Sequence, residues 1–422
     1  MNILEIKNLT IKNIRNNDIL LNNVNLFVNK GETLGIVGQS GSGKTLTGLS
    51  VTGLLDKSIF EIVSGNIIYN GINLLEEPEE KLQKIRSNKI SIIFQEPMLS
   101  LNPVQSINSQ LTEVIKLHVT QNLYDIKEIA KEIIVKTGLQ DYKKILNSYP
   151  HMLSGGQRQR VMIAIALVCK PDILIADEPT TALDVTLQLQ ILDLLSNFKS
   201  QNQMSMILIS HDLDLIKKYT DRVCIMNYGN IIESGLTEYI FDKPQNKYTK
   251  DLIASRPEKI INHEVEGKIL LQAKNINCKF PINSTFFKKN RKYFHALSDV
   301  NFIINEGETI GIVGESGSGK TTLAMTILQL LKYDGDIFFD GKEISDMPDS
   351  ALRNIRKDFQ IVFQDPFSSL SPRMTIFEIL TEGITILDKK MTREQLLLFS
   401  KDLLNEVGLQ SEMIHRLSLI HI

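Results

Sequence analysis

The sequence predicts an α/β protein in which one domain with a parallel-sheet core is carried as tandem copies. Two observations support this. Short, wholly apolar runs alternate with amphipathic helical patterns, as in sheets buried on both faces. A long, ordered repeat also runs along the chain. "GETLGIVGQSGSGKT" (31–45) returns as "GETIGIVGESGSGKT" (307–321), and "ISIIFQEPMLSLNP" (90–103) returns as "FQIVFQDPFSSLSP" (359–372). The leader "LEIKNLTIKN" (4–13) matches "LQAKNINCKF" (271–280), and "SGNIIYNGINL" (64–74) matches "DGDIFFDGKEI" (334–344). Repeats this long are tandem domains, because solenoid units are shorter. The expected organisation is a first copy over 1–255, a polar linker "RPEKIINHEVEGK" (256–268) and the first part of a second copy over 269–416.

Within each copy, strands and helices alternate. Residues 1–9, "MNILEIKNL", alternate apolar and polar like a half-buried strand. "TLGIVG" (33–38) is a short apolar strand, a glycine-rich turn follows it, and "KTLTGLSVTGLL" (44–55) reads as a helix. Ile126, Ile129, Ala130, Ile133 and Ile134 fall at i, i+3, i+4, i+7 and i+8, one face of an amphipathic helix. "DILIADE" (172–178) and "SMILIS" (205–210) read as buried parallel strands.

Composition narrows the function classes. The chain has 422 residues, 42% of them apolar and 23% charged, which suits a soluble globular protein of two or more domains. A net charge of −2 provides no global field toward nucleic acid or lipid. The longest apolar run, "VMIAIALVC" (161–169), is too short to span a bilayer, and no secretory leader is read at the start. Cys169, Cys224 and Cys278 form no CxxC pair, so neither a disulfide framework nor a zinc site is expected, and a reducing cytosol fits. The 12 methionines form no stripe. "FFKKNRKYFH" (286–295) reads as a solvated hairpin rather than a nucleic-acid or membrane element.

"GQSGSGKT" (38–45) and "GESGSGKT" (314–321) both satisfy GxxxxGK[ST]. Gly38, Ser40, Gly41 and Gly43, and in the second copy Gly314, Ser316, Gly317 and Gly319, let the backbone curl so that several N–H groups face one phosphate. The helix that follows adds its positive end. Lys44 and Lys320 would reach the β- and γ-phosphates, and Thr45 and Thr321 would place a hydroxyl on Mg²⁺. On the loops alone, the nucleotide could be ATP or GTP. "ILIADEP" (173–179) adds Asp177, placed to hold Mg²⁺ through water, and Glu178, placed to polarise an attacking water. His211 follows another apolar run.

The order of phosphate loop, Gln95, "LSGGQ" (153–157), acid pair and His211 resembles the ATP-binding cassette family. The resemblance implies a P-loop NTPase fold with a RecA-like parallel-sheet core, an antiparallel β subdomain and a helical subdomain. It implies ATP and Mg²⁺ as cofactors and ATP hydrolysis as the activity. Gln95 looks like the glutamine that contacts Mg²⁺ and water, and Gln364 holds the matching place in the second copy. Thr45, Gln95 and Asp177 are thus the expected metal residues of the first site, and Thr321 and Gln364 those of the second. Ser154, Gly155, Gly156 and Gln157 form the signature, "ALD" (182–184) with Asp184 resembles the D-loop, and His211 the switch histidine. Family members stack an aromatic residue on adenine after the first strand. Phe280 stands there in the second copy and Asn13 in the first, which puts stacking at the first site in question.

In this family two cassettes close head to tail, each ATP lying between one phosphate loop and the other cassette's signature. Ser154 would then hydrogen-bond a γ-phosphate. "YPHMLSGGQRQRVMIAIAL" and "IADEPTTALDVTLQLQIL" are similar to peptide and nickel importer ATPases. Two cassettes in one chain look most like the fused ATPases of microcin C and peptide uptake. The implied partners are two membrane permeases and a periplasmic or extracellular solute-binding protein, with no nucleic acid. The implied location is the cytoplasmic face of the inner membrane. Two alternatives stand beside this reading. One is a soluble tandem-cassette ATPase acting on ribosomes, a branch that typically carries "DEPTNHLD" where this chain has "DEPTTALD" (177–184). The other is an inactive fragment. Aligned at Gly138 and Gly408, a second signature serine is expected at position 424, and "LSLIHI" (417–422) has no counterpart in the repeat. These six residues are expected to be a non-native tail that resembles a sequencing-adapter end. No complete composite site is then expected within one chain.

Overall fold

The computed structural model describes residues 2–96, 100–180, 184–255, 267–281, 293–315, 317–363, 369–387 and 391–417. Ser316, Gln364, linker residues 256–266, the basic stretch before Tyr293 and residues 418–422 lie outside them. The chain forms two compact units, Met1–His263 with Val313–Ser318, and Glu264–Ile312 with Gly319–Ile422.

The first unit opens with β1 (Asn2–Asn13), β2 (Ile19–Asn29), β3 (Thr33–Val37), α1 (Lys44–Thr52), β4 (Phe60–Tyr69), β5 (Ile72–Asn73), α2 (Glu79–Ile85) and β6 (Ile90–Ile93). Four helices follow: α3 (Ile107–His118), α4 (Leu123–Lys136), α5 (Tyr142–Asn147) and α6 (Gly155–Leu167). Then come β7 (Ile173–Asp177), α7 (Val185–Asn202), β8 (Ser205–Ile209), α8 (Leu213–Tyr219), β9 (Arg222–Asn227), β10 (Asn230–Leu236), α9 (Thr237–Asp242) and α10 (Lys247–Ala254).

Two sheets build this unit. β2-β1-β4-β5 is antiparallel. Along β1 the buried face passes from Leu4 and Ile6 to Leu9 and Ile11, a change of phase. Asn8, at φ 51 within a register shift, produces it, because one extra residue flips every later side chain. The second sheet runs β10-β9-β3-β8-β7-β6, parallel except at the β9–β10 edge. Every residue of β3, β7 and β8 is buried, as continuous apolar runs in a covered parallel sheet should be. α1 stops at Thr52, short of the expected Leu55, because Gly53 turns left-handed at φ 64 and closes the helix.

The four helices α3 to α6 share a core with one face of the parallel sheet. Ile126, Ala130, Ile133 and Ile134 are buried on α4, and Ile129 packs half-buried beside them. Ser106, Asn122 and Asp141 cap α3, α4 and α5 by accepting from Ser109, Tyr124 and Lys144 N–H groups.

The second unit contains β11 (Ile269–Pro281), β12 (Tyr293–Asn305), α11 (Lys320–Ile327), β13 (Asp334–Phe339), β14 (Lys342–Glu343), α12 (Asp349–Ile355), α13 (Ile376–Leu387) and α14 (Arg393–Glu406). Its sheet, β12-β11-β13-β14, is antiparallel and repeats the first unit's bulge at Asn275, φ 52. The tandem reading expects "TIGIVG" (309–314) to be a strand, and it is not one. β3 in the first unit is held between β8 and β9, and among the described residues of the second unit no strand pairs here. The Ile376 N–H donates to Arg416 O at 3.0 Å, as Ile107 N–H donates to Ser148 O at 3.0 Å. Arg416 therefore matches Ser148, and a counterpart of Ser154 falls two positions earlier than the Gly138–Gly408 alignment implies. Leu417, assigned to the tail from sequence, forms an antiparallel bridge with Thr375.

Candidate nucleotide-binding and catalytic site

The first phosphate loop joins β3 to α1. Gly41 and Gly43 take φ 77 and 98, conformations that favour glycine. A Cβ on Gly43 would stand 2.5 Å from Leu21 Cδ2, and one on Gly38 would stand 2.2 Å from Met226 O, so both positions need glycine for space as well. Lys44 is buried and donates from Nζ to the carbonyls of Gly38 (2.8 Å) and Gln39 (2.9 Å), closing the loop on itself. Burial pushes its pKa below the ordinary lysine value, against the pull of Glu178 and Asp177.

Asp177 ends β7 and is 3% exposed. Burial raises its pKa, the nearby Thr45 hydroxyl acts the other way, Glu178 raises it further, and Lys44 lowers it. Among the described residues its Oδ1 has no hydrogen-bond partner. A carboxylate with a spare buried oxygen, beside a threonine hydroxyl, is a donor set suited to a hard divalent cation that also takes phosphate oxygens. Among the described residues no cluster of three His, Cys, Asp or Glu forms a self-sufficient metal cage.

Glu178 follows in the left-handed region at φ 45, an uncommon conformation for a non-glycine residue. Its N–H donates to Ile209 O at 2.9 Å, which ties the end of β7 to the end of β8. Two residues beyond Ile209 stands His211, whose Nδ1 lies 3.1 Å from Glu178 Oε1. From the other side Gln95 donates from Nε2 to Glu178 Oε2 at 2.9 Å. The fold thus brings Gln95, Glu178 and His211 to one carboxylate, and all three line one cleft of about 560 Å³ with Ser40, Gly41, Gly43, Lys44 and Thr45.

The signature lies apart from that cleft. Ser154 caps α6 in a reciprocal box: Gln157 N–H donates to Ser154 Oγ at 3.3 Å, and Ser154 N–H donates to Gln157 Oε1 at 3.0 Å. Ser154, Gly155, Gly156, Gln157 and Asp184 line a second cleft of their own. Asp184 caps α7 by accepting from Leu187 N–H at 2.9 Å. A Cβ on Gly155 would meet nothing within 4 Å, so the helix start is open to an approaching group.

In the second copy of the repeat Gly317 and Gly319 take φ 84 and 97, close to their counterparts, and Lys320 begins α11. Gly314 is at φ 158. Phe280 is 38% exposed at the end of β11, paired with Phe294.

Sequence reasoning missed several residues around the first site. Tyr248, on α10, accepts at its hydroxyl from Gln39 N–H at 3.4 Å, although 209 positions separate them. Buried Gln159 donates to the Pro179 carbonyl and so anchors the segment after Glu178 to α6. Leu20 and Phe60 line the cleft from β2 and β4. Gln159 lies just past the signature, but its tie to Pro179, like the places of Tyr248, Leu20 and Phe60, is revealed only by the folded chain.

Comparison with known proteins agrees with this arrangement. A family profile described as ABC transporter matches residues 21–181 and 297–419. The chain is 41% identical over 392 residues to the peptidoglycan transport ATP-binding protein YejF of Agrobacterium fabrum, covering 93% of this chain and 72% of that protein. It is 38% identical over 397 residues to the glutathione import ATP-binding protein GsiA of Salmonella choleraesuis, covering 86% of this chain and 64% of that one. Among solved structures, the dimeric post-hydrolysis state of the ATP-binding cassette MJ0796 bound to ADP and Pi matches with a TM-score of 0.50 and 27% identity, over 56% of this chain and 98% of that chain. No helix among the described residues is long and apolar enough to cross a membrane. With that profile matched over both copies of the repeat and relatives 41% and 38% identical, the chain belongs to the ABC transporter family of ATPases.

Proposed function

We propose that this chain is the ATP-hydrolysing subunit of an importer for peptides or peptide-like compounds, microcin C-type conjugates included. The observation that carries the ATPase reading is the convergence of Gln95 and His211 on Glu178 above the loop that holds Lys44. Both Glu178 oxygens are engaged, so the carboxylate is oriented before substrate arrives. Glu178 then accepts a proton from the attacking water while Lys44 leaves its loop carbonyls for phosphate oxygens. Thr45 and Asp177 would hold Mg²⁺, which neutralises charge on the phosphates when bound. Ser154 and the open start of α6 face a γ-phosphate carried by another cassette.

The cargo class rests on relatives whose names point to peptidoglycan and glutathione, which both contain peptide. Two membrane permeases and a solute-binding protein would complete the system, with this chain docked on the permeases at the cytoplasmic face. The first cassette spans 1–255 and the second begins at 269 in this reading. Glu178→Gln is the test. ATP hydrolysis should fall by about 10²–10⁴-fold while ATP binding persists. Unchanged turnover would remove Glu178 from the role of base.

A further inference from the structure

The first cleft is lined by two chemically different sets of residues, the charged and polar Lys44, Thr45, Gln95, Glu178 and His211 and the apolar Leu20, Leu46, Leu49 and Phe60. A ligand that fits combines an anionic part with a flat, apolar part, which describes a nucleotide with its base. Phe60 is the one aromatic ring of the apolar set, and it is half-buried, so one part remains available. Its place follows from register. β4 begins at Phe60 and pairs with β1 through Ile11↔Ile62, Lys12↔Glu61 and Asn13↔Phe60. An Asp56–Ser58 turn, with Ser58 N–H donating to Asp56 Oδ1 at 2.8 Å, sets up the strand, and the Ile14 N–H donates to Ile59 O at 2.8 Å.

The second unit lacks this extension. β13 starts at Asp334, its last pair with β11 is Asn277↔Asp334, and an aromatic residue, Phe280, occupies the β11 position that matches Asn13. Six extra residues separate Lys44 from Gly65 relative to Lys320 and Gly335, and they lengthen β4 to reach Asn13. The two copies thus place an aromatic on different strands of the same hairpin region.

We infer that Phe60 is the base-contacting residue of the first site, packing its ring on the nucleotide base across from Asn13. The inference rests on the nucleotide reading above. The chain contains no tryptophan, so Phe60→Trp introduces a single fluorescent reporter. In the full chain also carrying Lys320→Ala, so that the first loop dominates, ATP should change the emission of that tryptophan and inorganic tripolyphosphate should not. Phe60→Leu keeps the packing volume and removes the ring. It should weaken ATP binding by about tenfold or more and leave tripolyphosphate binding within about twofold. Equilibrium dialysis run alongside separates the failures. If ATP binds but the emission is unaltered, or if Phe60→Leu binds ATP as tightly as its parent, the base lies elsewhere and the Phe60 assignment falls alone. If the unsubstituted chain binds no ATP, the nucleotide reading falls with it.

Discussion

"GETLGIVG" at residues 31–38 and "GETIGIVG" at 307–314 differ only by leucine against isoleucine, yet the first becomes a fully buried strand and the second does not become a strand. Isoleucine has the higher strand propensity, so local preference points the wrong way. Position decides instead. Leu34 and Ile36 are fully buried between β8 and β9, whereas Ile310 and Ile312 are 37% and 48% exposed. The glycines that follow behave alike in both copies of the repeat, because their φ values are set within a few residues. A turn and a helix start are therefore local properties, and a parallel strand is a property of its neighbours.

Hydrogen exchange should give the largest contrast. Amides of Leu34–Val37 should be protected by about a thousandfold or more relative to those of 310–313, and equal protection would break the comparison. Side-chain truncation comes next. Ile36→Ala should destabilise the first unit by about 2–5 kcal/mol in urea unfolding. Ile312→Ala should cost less than about 0.5 kcal/mol.

A smaller effect tests what the completed sheet imposes. Asp177 is buried with a raised pKa, chiefly from desolvation, so its folded carboxyl binds a proton more readily than the unfolded one. Its contribution to stability is most favourable at low pH and weakens as pH rises above the ordinary carboxylate value of about 4 and through the raised one. Asp177→Asn should therefore raise the nucleotide-free Tm near neutral pH by about 2–4 °C, lose that advantage in acid, and impair Mg²⁺-dependent hydrolysis. Caps should show no contrast between units. Ser154→Ala and Thr392→Ala each remove a capping box and should each cost about 1 kcal/mol, measured by denaturant unfolding. Unequal losses would show that even these ends depend on their surroundings.

The strands at 173–177 and 205–209, the α4 face and the phosphate-loop helix were all legible from apolar runs, helical spacing and glycine placement. The motif residues Lys44, Thr45, Gln95, Asp177, Glu178 and His211 were legible too, and the fold brings them to one cleft or its floor. Phe60 and the roles of Gln159 and Tyr248 were not, because their partners Asn13, Pro179 and Gln39 lie far from them in the chain.

By itself the sequence determined what acts over a few residues: the left-handed glycines, the helix caps, and which residue types could meet a phosphate. Those depend on backbone sterics and on donors within one turn of the chain. Only the tertiary structure decided which copy of the repeated run became a strand, that Gln95 would meet Glu178 from 83 positions away, and that Phe60 would stand opposite Asn13. Sheet hydrogen bonds and cleft contacts join distant segments, and no local preference in either segment encodes the partner it finds.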